Sequence, residues 1–71
     1  MLNPFSTTSR LGLQLNDCLT TYRDYLKEHR FNVIQMGDTR LIGLREEDST
    51  KIVVNLEKLT ANETLVAINQ V

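Results

Sequence analysis

A chain of 71 residues makes one small domain, near the lower limit for folding without disulfides or metals. Its 41% hydrophobic and 24% charged residues are an ordinary globular balance and argue against disorder. A net charge of -1 lacks the broad basic field of a simple nucleic-acid binder, and a single cysteine allows no intrachain disulfide.

The first segment, MLNPFSTTSR, has neither the basic start nor the apolar core of a signal peptide. No apolar run approaches the ~20 residues that span a bilayer. With a lone Cys18, these features lead us to expect a soluble cytoplasmic protein with no membrane association. Pro4 and the Ser/Thr run at 6 to 9 suggest a flexible arm over 1–8, ahead of a single domain over 9–71.

Leu11, Leu15, Cys18, Leu19, Tyr22, Tyr25 and Leu26 recur at spacings of three and four, which predicts an amphipathic helix over about 10–29. Asn16, Asp17, Thr20, Thr21, Arg23, Asp24, Lys27 and Glu28 lie on its polar side. Lys27, His29 and Arg30 complement the negative end of the helix dipole.

Downstream, period-2 segments predict strands over 31–36, 39–45 and 51–58, the first two joined by a tight turn at Gly37-Asp38. ArgGluGluAspSerThr at 45–50 reads as a polar loop. The segment 61–71 is open between helix and strand. Thr60 and Glu63 match a capping box, but the β-branched run favours a fourth strand. The expected fold is α+β: one N-terminal helix packed on an antiparallel meander of three to four strands.

Both faces of these strands are apolar. Phe31 and Val33 alternate with Ile34 and Met36, Leu41 with Ile42 and Leu44, and Ile52 and Val54 with Val53. One helix, ~10 Å wide, covers only one face. The residues Ile34, Met36, Ile42, Leu44 and Val53 are therefore a candidate interaction face.

No catalytic or cofactor constellation emerges. His29 and Cys18 are too few for a zinc site. His29 fits a helix C-terminus, and Cys18 fits the buried stripe as a small hydrophobe. Glu46, Glu47 and Asp48 lack the spaced ligands and glycine of a calcium loop and read as a solvated tip. Asn62-Glu-Thr64 is a glycosylation sequon by letter only. Gly37 fits a turn, and Gly43 fits a bulge or close packing within a strand. Gly43, Asp48 and Ile52 to Val54 faintly resemble the pattern of Sm-like RNA-binding barrels. The Asp spacing and the missing Asn before the apolar triplet depart from it, and no family is assigned on these residues.

The expected function is a non-enzymatic protein-interaction module, an adaptor, inhibitor or regulator, acting as a small homo-oligomer (a homodimer) through a sheet face or edge, with a protein partner and no cofactor. The alternative is a small nucleic-acid-binding regulator. It would use a basic patch at the helix C-terminus built from Arg23, Lys27, Arg30, Arg40 and Arg45. The near-neutral total charge disfavours it.

Overall fold

In the computed structural model, residues 7–71 are described and form one helix against a five-stranded antiparallel sheet. The elements run β1 (Thr7–Leu11), α1 (Leu15–Glu28), β2 (Asn32–Met36), β3 (Arg40–Arg45), a 3-10 turn (Glu46–Asp48), β4 (Thr50–Thr60) and β5 (Glu63–Gln70). The fold is α+β, and the sheet order is β1-β5-β4-β3-β2. Strands β2 to β5 form the expected meander. Two expectations are corrected: there are five strands rather than three to four, and a strand precedes the helix. Of the arm expected at 1–8, residues 1–6 lie outside the described residues, while Thr7 and Thr8 open β1. The sheet is open, with β1 and β2 as its edges, unlike a closed Sm-like barrel.

The physical reason for β1 is long-range. Thr7 pairs with Ile68 and Leu11 with Thr64 along the edge of β5. This backbone pairing outweighs the helical spacing that Leu11 shares with Leu15. Gly12 and Leu13 make the bend, and α1 begins after Gln14, which supplies no side-chain cap. The buried hydroxyl of Thr64 donates to the Leu13 carbonyl at 2.9 Å and ties this bend to the sheet.

The helix buries Cys18, Leu19 and Leu26, with Leu15 and Tyr22 packed at the margin of the core. Its C-terminus closes as a Schellman motif. Arg30 takes the left-handed position at φ 68°, while Phe31 N–H donates to the Leu26 carbonyl at 3.0 Å and Arg30 N–H to that of Lys27 at 3.1 Å. The motif brings Phe31 and Leu26 together over Gly43. A Cβ at that glycine would lie 3.2 Å from Phe31 Cδ1 and 3.4 Å from Leu26 Cδ1. Close packing thus accounts for Gly43, and the pairing of β3 with β2 and β4 runs through it without a bulge.

From the sheet, Phe31, Leu41, Val54, Leu56 and Val66 complete the buried core beneath the helix. The hairpin between β2 and β3 turns through Gly37 at φ 65°, and Gln35 Nε2 donates to the Gly37 carbonyl. The segment 61–71, ambiguous in sequence, is mostly the strand β5, joined to β4 by a turn at Ala61-Asn62.

Candidate interaction face

Because side chains alternate along a strand, every residue next to a helix-facing one points to the far side of the sheet. Leu41 and Gly43 lie under the helix, so Arg40, Ile42 and Leu44 point away from it. Val54 and Leu56 are core residues, so Val53, Asn55 and Glu57 point away, and so do Leu65, Ala67 and Asn69 beside Val66. Val33 packs on the core, which turns Ile34 and Met36 outward.

The registers arrange these residues in cross-strand rows. Ile34, Ile42, Val53 and Asn69 form one row, and Met36, Arg40, Asn55, Ala67 and Thr8 the next. Asn32, Leu44 and Lys51 lie on one side of this pair of rows, and Glu57, Leu65 and Arg10 on the other. The structure therefore brings Ile34, Met36, Ile42, Leu44 and Val53 together on the face that carries no helix. Ile34 and Met36 remain 49% and 50% exposed, high for residues of these types. Leu65 and Ala67 extend the patch. Sequence reasoning missed them because the element type of 61–71 was open, and only as a strand do they alternate away from Val66.

The candidate basic residues are not gathered in the same way. Arg40 sits on the open face, where its Nε donates to Asn55 Oδ1 at 2.9 Å. Arg45 lies on the helix side and is fully engaged. Its Nε and second guanidinium nitrogen donate to Asp48 at 3.1 and 2.7 Å, its third nitrogen donates to the His29 carbonyl at 2.9 Å, and the group lies 4.5 Å from the Phe31 ring centroid. Arg30 reaches Glu47 at 3.6 Å and Arg23 reaches Asp24 at 3.6 Å. Lys27 projects from the exposed side of the helix. The loop acids thus neutralise the cations nearest to them. The Arg45 guanidinium, with the Thr50 N–H, holds the Asp48 carboxyl well below the usual carboxylate range.

Among the described residues, the groups that could serve acid–base or nucleophilic chemistry lie apart from the face. Cys18 is fully buried in the core, and His29 caps the helix with its ring 4.3 Å from that of Tyr25. Burial, then the nearby Cys18, pushes the Tyr22 hydroxyl up, so it stays a neutral phenol at pH 7. Among the described residues, no three His, Cys, Asp or Glu side chains are placed to hold a metal ion. A shallow depression of about 350 Å³ at the edge of the sheet, lined by Asn32, Leu44, Glu46, Thr50 and others, is wide open to solvent. No helix among the described residues is long and apolar enough to cross a membrane.

The fold and its open face define a class no narrower than a small α+β domain with one sheet surface that no other described element covers. No protein-family model matches the chain, and no curated protein or solved structure matches it significantly.

Proposed function

We propose that this protein is a non-enzymatic interaction module, an adaptor, inhibitor or regulator that acts as a small homo-oligomer, and that it works in the cytoplasm. The observation that carries the reading is the helix-free sheet face, with Ile34, Met36, Ile42, Leu44 and Val53 contiguous across three strands. Contiguous apolar surface of this kind marks an interaction site rather than ordinary surface. A small domain that leaves it uncovered forgoes burial worth roughly 25 cal/mol per Å². A buried free thiol and no disulfide suit a reducing compartment.

Sedimentation equilibrium at micromolar protomer is the direct test. The expected result is a species heavier than the 8.2 kDa chain, and Ile34→Glu should return it to monomer. A monomer over the whole concentration range would refute the reading. Nucleic-acid binding draws no support from the geometry, because Arg40 faces away from the helix cations and Arg45 is held by Asp48. Salt-sensitive, submicromolar binding to DNA or RNA, lost when Arg23, Lys27 and Arg30 are all replaced by Ala, would reverse that judgement.

A further inference from the structure

The open face carries an electrostatic pattern that the apolar patch alone does not explain. Lys51 and Glu57 lie on the same face of β4, one on each side of the central apolar rows. They are six residue steps apart along the strand, about 20 Å. Both are exposed, and neither forms an ion pair with another described residue. By contrast, Arg10 and Glu63 pair across β1 and β5 at 3.9 Å, and Arg40 is held by Asn55. The two unpartnered charges are thus opposite in sign and flank the patch along the strand direction.

We propose that the face is covered by a second copy of this chain. The two sheets pack face to face about a two-fold axis that lies in the interface and runs across the strands, at the level of Val54. This inference rests on the self-association reading above and adds the surface and its register. In an isologous contact, if one residue meets another, the reverse contact occurs as well. A two-fold midway between Lys51 and Glu57 therefore places Lys51 of each copy over Glu57 of the other and satisfies both ends at once. It also sets Ile34 over Met36 of the second copy, Ile42 over Arg40 and Val53 over Asn55, at the centre of the face. The Asn55 hydrogen bond holds the Arg40 head at the sheet surface and leaves its methylene stem as apolar contact.

The dimensions agree. Aligned sheets pack about 10 Å apart and rotate by about 30°. At ~10 Å from the axis, such a rotation displaces Lys51 by about 5 Å, within reach of its side chain. Five strands at ~4.8 Å spacing and ~20 Å of strand length give a face of roughly 480 Å² in plan. Two such faces approach the ~1,000 Å² at which an interface becomes specific. The assembly places both helices outside and both sheets inside, so every apolar sheet surface gains a cover. A foreign partner would need its own matched pair of opposite charges, whereas a second copy supplies them by symmetry.

Charge reversal tests the register. Dimer dissociation constants are measured by sedimentation for the wild type, Lys51→Glu, Glu57→Lys and the double variant, with circular dichroism confirming the fold of each. Each single reversal creates two repulsive pairs and should raise the dissociation constant roughly tenfold at low salt, less at high salt. The double reversal restores both pairs and should return to within about threefold of the wild type. A dimer whose single variants are unchanged, or whose double variant is no tighter than the singles, overturns this interface and leaves self-association standing, through the β2 edge for instance. A monomeric wild type overturns both.

Discussion

Gly43→Ala probes the contact that seats the helix end on the sheet. The added methyl would meet Phe31 Cδ1 at 3.2 Å, Phe31 Cγ at 3.3 Å and Leu26 Cδ1 at 3.4 Å. Comfortable carbon contacts lie at about 3.5–4.0 Å, so the ring must retreat by a few tenths of an ångström. Its freedom to do so is small. Phe31 is only 7% exposed, its N–H is bonded to Leu26, and the Arg45 guanidinium against its ring is itself tied to Asp48 and His29. Overpacking of this kind costs about 1–3 kcal/mol. Removing a strand glycine returns about 0.5–1 kcal/mol through the unfolded chain. The net expectation is a loss of up to about 2.5 kcal/mol. With an m-value of roughly 1 kcal/mol per M of urea for so small a domain, the midpoint should fall by up to about 2.5 M. Unfolding is followed by far-ultraviolet circular dichroism at fixed protomer concentration, since self-association shifts apparent stability. Gly12→Ala is the control, because nothing lies within 4 Å of its added methyl. It should leave the midpoint unchanged or raise it. Adding Phe31→Leu to Gly43→Ala should cost less than the two changes summed, because the smaller side chain vacates the contested space. A rise in midpoint for Gly43→Ala comparable to that for Gly12→Ala would refute the close-packing account.

Three further outcomes follow from the same contacts. Leu26→Ala removes a side chain that is 2% exposed and should cost about 2–5 kcal/mol, whereas Thr21→Ala on the solvent side should stay within about 0.5 kcal/mol by the same urea titration. Asp48 has its folded pKa lowered, so its stabilising effect is present above the unfolded carboxyl value near ~3.9 and is lost as pH falls through the folded value. Acid titration of the wild type should therefore lose stability below about pH 4, and Asp48→Asn should flatten that slope while lowering stability at neutral pH. A slope unchanged in the variant would show that the Arg45 contact is not formed in solution. The Cys18 thiol, fully buried, should react with an aromatic disulfide reagent only as fast as the core opens, and rapid labelling of native protein would contradict its placement.

What the sequence determined by itself was local. The three-and-four spacing of Leu15, Cys18, Leu19, Tyr22 and Leu26 marks the buried helix stripe, because a helix returns to the same face after one turn, whereas Tyr25, which shares the spacing, is left 54% exposed at the margin. Alternation marks β2, β3 and most of β4, and Gly37 marks their hairpin. The same alternation groups Ile34, Met36, Ile42, Leu44 and Val53 on one side of the sheet, since neighbouring strands in register preserve the pleat.

Tertiary structure decided the rest. Thr7–Leu11 is a strand only because β5, most of the chain away, offers it an edge, and Leu11 fits a helical spacing and a strand equally well. The face that receives the helix was undetermined while both were apolar. Gly43 settles it, because only that side of β3 has room for the Phe31 and Leu26 pair. Charges close in sequence also did not declare their partners. Arg45 belongs to Asp48 and the helix end rather than to a surface patch, because the 3-10 turn folds the carboxylate back onto it. Periodicity records which side of an element is apolar, whereas the choice of partner for that side depends on distances that arise only when the elements meet.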